Sequence, residues 1–438
     1  MTGDPRTDFI EAATWHGGLE RAEAILAGHP ELASGDIHTA AILGDDAAVR
    51  RFLAQDPASV TAKSPPYGGD ALNYLGLSKY LRLDPARSDG FLRAAAALLD
   101  AGADPNTGFW TTGQHPEFET ALYGTAGVAH HAALTRLLIE RGADPNDEEA
   151  VYHSPETYDI GAMRVLVETG RITADNLVLM LVRKHDWHDY EGARYLLDHG
   201  ADPNFARARG WVPIHHAIAR DNALEMIELL LEHGADPLVV KDGMSAVERA
   251  ARRGRADLLA LFERRRMALA FPGVLRLIAA CARKDAPAAR AIAEREPALV
   301  HDVVAQGGQL LAEFAGTWNT EGVGLLLDLG VAVDAPYEGD GYWDLPPAST
   351  ALHVAAWKGV ASTVKLLIAR GAPVDAKDGK GRTPLALAVK ACVDSYWTER
   401  RNPDTVAALL AAGASVAGVR YPCGYADVDA LLGGAGAD

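Results

Sequence analysis

Cysteine is nearly absent: three residues in 438, Cys281, Cys392 and Cys423, far apart and with no CxxC pair. That excludes a disulfide framework and fits a reducing compartment, so the cytoplasm is the expected location. Long apolar runs are missing too. Ala and Gly dilute every hydrophobic stretch before it reaches the 18 or so residues of a membrane span, so no membrane association is expected. The first residues carry Asp4, Asp8 and Glu11 and no apolar core, which argues against a secretory signal. Positive charge is in deficit, with 42 Lys and Arg against 59 Asp and Glu, a net charge of −17. Such a surface repels phosphate backbones, so nucleic acid is not an expected partner. No GxSxG, P-loop, HExxH or post-strand GxGxxG occurs, which removes the familiar enzyme signatures.

What the chain has is self-similarity. LLDAGADPN ends at Asn106, LLIERGADPN at Asn146, LLDHGADPN at Asn204 and LLEHGADP at Pro237. Weaker copies end at Asp334, Asp375 and Val416. Glycine spacings run from 34 residues (Gly200 to Gly234) to 42 (Gly371 to Gly413). The 58-residue interval from Gly142 to Gly200 holds a degenerate terminus at Leu166–Gly170, so it reads as two units. Within a unit, Thr350–Ala356 starts a short helix that Thr350 can cap. Val364, Leu367 and Ile368 place an apolar stripe on a second helix, and Gly371 ends it. Neither helix can bury its face alone, so stability must come from stacking.

Thr383-Pro384-Leu385, Val212-Pro213-Ile214-His215-His216-Ala217 and Thr350-Ala351-Leu352-His353 resemble the TPLHxA signature of the ankyrin-repeat family, and the GADPN strings resemble its repeat terminus. The likeness covers about residues 8 to 416 and suggests a multi-repeat protein of bacterial type. It implies an all-α ankyrin-repeat solenoid of about twelve helix-turn-helix units, and a role in binding proteins. Starter-like units begin near Ile10, Ile37 and Leu277, with Pro30, Pro57 and Pro297 in corresponding places. The expected division is therefore an array over 1–266, a second over 267–416, and a cap and tail over 417–438.

Departures from the repeat are where individual function is written. Aromatic-rich insertions occupy Gly108–Glu119 and Pro336–Pro347, where the hairpin fingers should be. Others fall at Ser78–Gly90, His185–Tyr190 and Asp394–Arg401, between paired helices. Fingers and turns would form two rims of one groove. Aromatic residues supply large contact area at small entropic cost. The candidate binding residues are thus Trp110, His115, Glu119, Tyr123, Trp187, His188, Trp318, Tyr342, Trp343, Trp357, Tyr396 and Trp397. The bland reading is that these aromatics only pin their own loops.

His215 and His353 sit at the family's structural histidine position; Tyr123, Tyr152, Asn73 and Glu248 replace it elsewhere. His185-x-x-His188 beside Asp186 and Asp189 has metal-ligand spacing, but surface turns collect such residues, and no metal or cofactor is expected. Glu117 with Glu119, and Asp340 with Asp344, would do acid–base work only if they converge. The sequence therefore supports a protein or peptide partner in an aromatic groove. The alternative is a small molecule or glycan in the same groove, with possible catalysis by its acidic and histidine residues.

Overall fold

The computed structural model describes residues 4–205, 210–267, 269–395 and 401–436. Contacts within the chain divide it into two compact units, Met1–Asp236 and Pro237–Asp438. Among the described residues the structure is helical apart from two short hairpins. These are β1 (Gly108–Trp110) with β2 (Phe118–Thr120), and β3 (Val240–Lys241) with β4 (Met244–Ser245).

The first unit contains seven helix pairs in two rows. The inner row comprises Pro5–Ala13, Ile37–Ile42, Ala71–Gly76, Ala121–Tyr123 with its continuation Gly124–Val128, Glu148–His153, Ala174–Asp186 and Pro213–Ala219. Successive members pack on each other, and so do most of the outer helices behind them. The interval from Gly142 to Gly200 holds two complete pairs, as its degenerate terminus suggested. Five more pairs and the terminal helix Ala426–Gly434 make up the second unit. Its first pair, Ala246–Arg252 and Ala256–Arg264, packs with the starter-like helix Leu275–Ala282. Residues 237–266 thus group with the segment that follows, whereas a boundary at 266/267 was expected from sequence.

The repeat terminus has a mechanical purpose. Asp104, Asp144 and Asp202 each accept from the backbone N–H of the asparagine two residues on, at 2.9, 3.0 and 2.8 Å. That turn aims the asparagine at the next repeat. Asn106 donates to the Gly142 carbonyl and accepts from Asp144 N; Asn204 does the same with Gly234 and Asp236. Asn146 bridges to Arg171 and Thr173. Each GADPN string is therefore a staple between adjacent fingers. In the starter-like units the aligned prolines open an added short helix, Pro30–Ser34, Pro57–Thr61 and Pro297–Ala305, at the first helical position where a missing N–H costs nothing.

One departure reshapes the inner row. A Cβ on Gly124 would lie 2.5 Å from the Gly76 carbonyl carbon, and one on Gly76 would lie 2.7 Å from the Ala121 carbonyl oxygen. Only glycine permits this approach. The helix passes into a π-helical turn over Gly124–Val128, a local widening that is common at functional sites.

Candidate functional site

The first long finger is a true hairpin, with Gly108 opposite Thr120 and Trp110 opposite Phe118. Alternation along its strands sends the residues to two places. Trp110 and Phe118 share one face, their rings 5.2 Å apart, and Trp110 stays 65% exposed. Phe109 and Glu119 take the opposite face and are buried. Phe109 stacks on Tyr67 at 5.4 Å and meets Trp15 edge-on at 6.0 Å, and Trp15 in turn approaches Tyr123.

The next two fingers are short, and Trp211 stands just ahead of the inner helix Pro213–Ala219. Beside the hairpin lies a cleft of about 750 Å³, lined by Trp110, Pro116, Glu117 and Phe118 on one side and by Trp211 on another. Its floor is the start of Glu148–His153, with Asp147, Glu148, Glu149, Tyr152 and His153, together with Leu179. Asp147 caps that helix by accepting from Ala150 N at 2.7 Å.

Beneath the floor runs a chain of paired charges. His153 Nε2 lies 3.3 Å from Glu149 and its Nδ1 lies 2.8 Å from Glu156. Burial opposes the charge on His153, but these two carboxylates raise it to about 9, so it is an imidazolium at neutral pH. Arg183 bridges Glu156 and Asp186 while its guanidinium sits 4.3 Å above the Tyr152 ring. Asp186 also receives His216 at 2.8 Å and Arg220 at 2.6 Å, which hold it down to about 2 against the effect of burial. The π-helical turn brings the Tyr123 ring to 5.3 Å from His153. Glu119 has no such support. It is 3% exposed, its Oε2 has no hydrogen-bond partner, and burial together with Glu149 and Glu117 pushes it up to about 7.

The other candidate residues distribute differently. His115 is exposed at the hairpin tip, Glu119 and Tyr123 are buried behind it. Trp187 is half-buried against Tyr158 at 5.8 Å. His188 lines a separate depression of about 350 Å³ with Tyr190 and Met226. The turn residues line a depression separate from the finger cleft, at the far end of the 13-residue inner helix Ala174–Asp186. His185 is fully buried and pushed down to about 3, which keeps it neutral. Among the described residues no group of three His, Cys, Asp or Glu side chains is placed to hold a metal ion.

Trp318, Tyr342, Trp343 and Trp357 belong to the second unit. Trp318 is 53% exposed at a helix-pair turn. Trp343 and Trp357 were expected to face a partner, but they are 3% and 8% exposed within a cluster with Tyr337, Leu345, Val354, Leu387 and Ala391, against which Tyr342 packs. The Lys358 ammonium lies 3.0 Å from the Trp343 ring centroid. Asp344 is clamped by Lys380, Arg382 and Lys390, whose hydrogen bonds hold it well below the usual carboxylate range despite partial burial. This insertion folds back onto its own helices. Asp340 accepts from Tyr342 N rather than pairing with Asp344. Glu117 is exposed and Glu119 buried, and Glu117 is one of the charges that raise the Glu119 pKa. Tyr396 and Trp397 lie outside the described residues.

Sequence reading missed His153, Glu149, Glu156, Arg183, Trp15, Tyr67 and Trp211. The signal present was local: Glu149 lies four residues before His153 on one helix and Glu156 three residues after it, just past the helix end, in the unit where Tyr152 takes the signature histidine's place.

Comparison with known proteins agrees with the repeat geometry. A model described as ankyrin repeats (3 copies) matches residues 151–241 and 179–264, and a single ankyrin-repeat model matches 349–379. The chain is an ankyrin-repeat protein. The signature histidine of the family behaves here as a structural residue: His353 Nε2 lies 3.1 Å from the Ala376 carbonyl and 3.2 Å from that of Arg382. Among relatives of this ankyrin-repeat protein, "Ankyrin repeat and KH domain-containing protein mask-1" of Caenorhabditis elegans is 25% identical over 50% of the chain and 8% of its own length. "Serine/threonine-protein kinase 12" of Arabidopsis thaliana is 42% identical over 19% of the chain and 16% of its own length. The chain thus matches less than a fifth of the length of either relative. Ankyrin repeats indicate a protein–protein interaction module. No helix among the described residues is long and apolar enough to cross a membrane.

Proposed function

We propose that the first unit binds a segment of a partner protein in the cleft beside its β1–β2 hairpin. The observation that carries this reading is the placement of Trp110: a tryptophan 65% exposed, on a paired hairpin, lining a cleft that Trp211 also lines. Exposed apolar surface of that kind is stable in water only at modest cost and becomes productive when a partner covers it. The charged chain beneath is internally paired, so it stiffens the floor rather than competing for the partner.

A photo-crosslinking side chain placed at His115, on the hairpin tip, tests the reading. Discrete adducts are expected from the wild-type background and their loss from Trp110→Ala/Phe118→Ala. Equal adducts from both backgrounds would place the partner elsewhere.

A second reading rests on size and on Glu119. The cleft volume is within the range of small-ligand sites, and behind its hairpin wall lies a buried carboxyl near pKa 7, a kind of group that acid–base chemistry uses. Turnover of a glycan or other small substrate that disappears in Glu119→Gln would favour it over the protein partner.

A further inference from the structure

We propose that the cleft of the first unit takes a lysine or arginine side chain from an extended partner segment, held between aromatic rings and carboxylates. This rests on the partner-binding reading above and adds the chemistry of the occupant.

Among its described lining residues, the charge balance of the cleft is one-sided. Glu117, Asp147, Glu148 and Glu149 line it, and the only cation among its described lining residues is His153. That imidazolium is already shared between Glu149 and Glu156. Glu117, Asp147 and Glu148 form no ion pair with any described residue, in contrast to the fully paired chain below. The aromatic walls add a second and independent attraction. Trp110 and Phe118 offer exposed ring surface, and a ring face draws a cation within about 6 Å of its centroid. The site already shows this preference internally, since Arg183 covers the Tyr152 ring at 4.3 Å.

Glu119 supplies a third observation. Its carboxyl is 3% exposed, lacks a donor to Oε2, and is electrostatically coupled to Glu117, Asp147 and Glu149 of the cleft wall. A buried acidic group left without a donor is costly, and a cation arriving among its neighbours relieves that repulsion. An anionic or purely apolar occupant would meet the same carboxylates uncompensated. The occupant that answers both walls carries a positive charge on a long apolar stem.

The probe is a fluorescent nine-residue Gly-Ser peptide carrying two arginines, with counterparts carrying lysine, neutral citrulline or glutamate. Each is titrated against the full chain by anisotropy at low and moderate salt. The arginine and lysine peptides are expected to bind, with citrulline about tenfold weaker or worse. Glu117→Gln/Glu148→Gln should weaken the arginine peptide by about tenfold, and Trp110→Ala by about fivefold. The charge-matched pair Asp89→Asn/Glu140→Gln, on exposed helix surface away from the cleft, should change it less than about twofold.

The proposal is overturned if citrulline binds as well as arginine, if the control pair weakens binding as much as the cleft pair, or if the arginine peptide fails to bind at about 1 mM. Partner adducts that depend on Trp110 and Phe118 while the arginine peptide fails would sink the cation and leave the cleft as the partner site. The converse result would keep the cation site and remove the partner reading.

Discussion

Trp110 and Trp343 come from the same kind of insertion and have opposite fates. Trp343 is enclosed by Tyr337, Leu345 and Leu387, so Trp343→Ala should cost about 3–5 kcal/mol by removing packed area and leaving a cavity. Trp110→Ala removes an exposed ring and should cost less than about 0.5 kcal/mol. Chemical denaturation of the two variants checks this; similar losses would mean that both rings merely pin their loops. Glu119 makes a second residue-level prediction. Its folded pKa of about 7 lies above the 4.5 of an ordinary glutamate, so the native state holds the extra proton between those values. Stability from this group is complete below pH 4.5 and is lost as pH rises through 7, by up to about 3 kcal/mol. His153, raised from 6.5 to about 9, adds a loss in the same direction at higher pH. Glu119→Gln mimics the protonated form, so it should flatten the fall below pH 7 and stabilise the protein at pH 8. A steeper pH profile in that variant would contradict the assignment.

At the scale of elements, the repeat was legible because each part of it is a local device. A cap, an apolar stripe, a terminal glycine and an Asp–Asn staple all leave a mark within about ten residues. The staple yields a direct prediction. Asn204→Ala removes a donor to Gly234 and an acceptor from Asp236, bonds of 2.8 and 2.7 Å. At about 0.5–1.5 kcal/mol for each bond, the variant should lose roughly 1–3 kcal/mol, and the Gly234 and Asp236 region should exchange amide hydrogen faster. Unchanged exchange there would mean that the fingers are held by other contacts. The finger insertions were legible as insertions but not as structures. Composition shows that Gly108–Glu119 and Pro336–Pro347 are aromatic; it does not show that the first makes a hairpin with two faces and the second folds onto its own helices. The carboxylate–histidine chain was hidden for a related reason. Its members come from Glu149 to Arg220 across successive inner helices, and only stacking brings them together.

For the whole molecule, the helical solenoid followed from the repeats, and about twelve units were expected where twelve helix pairs are found among the described residues. The grouping of units did not follow, because starter-like sequences mark a kind of repeat and not the edge of a compact body. The first unit, Met1–Asp236, holds the cleft, its charged floor and Trp110, while the second holds an exposed tryptophan, Trp318, on an ordinary turn. That contrast allows the central claim to be tested against exposure alone. The measurement is the affinity of a crosslinked partner, once purified, for the wild type, for Trp110→Ala/Phe118→Ala and for Trp318→Ala, each with its melting temperature. The cleft variant is expected to bind about tenfold more weakly or worse with an unchanged melting temperature, and Trp318→Ala to bind as the wild type does. Wild-type affinity in the cleft variant, or an equal loss in Trp318→Ala, would contradict the account.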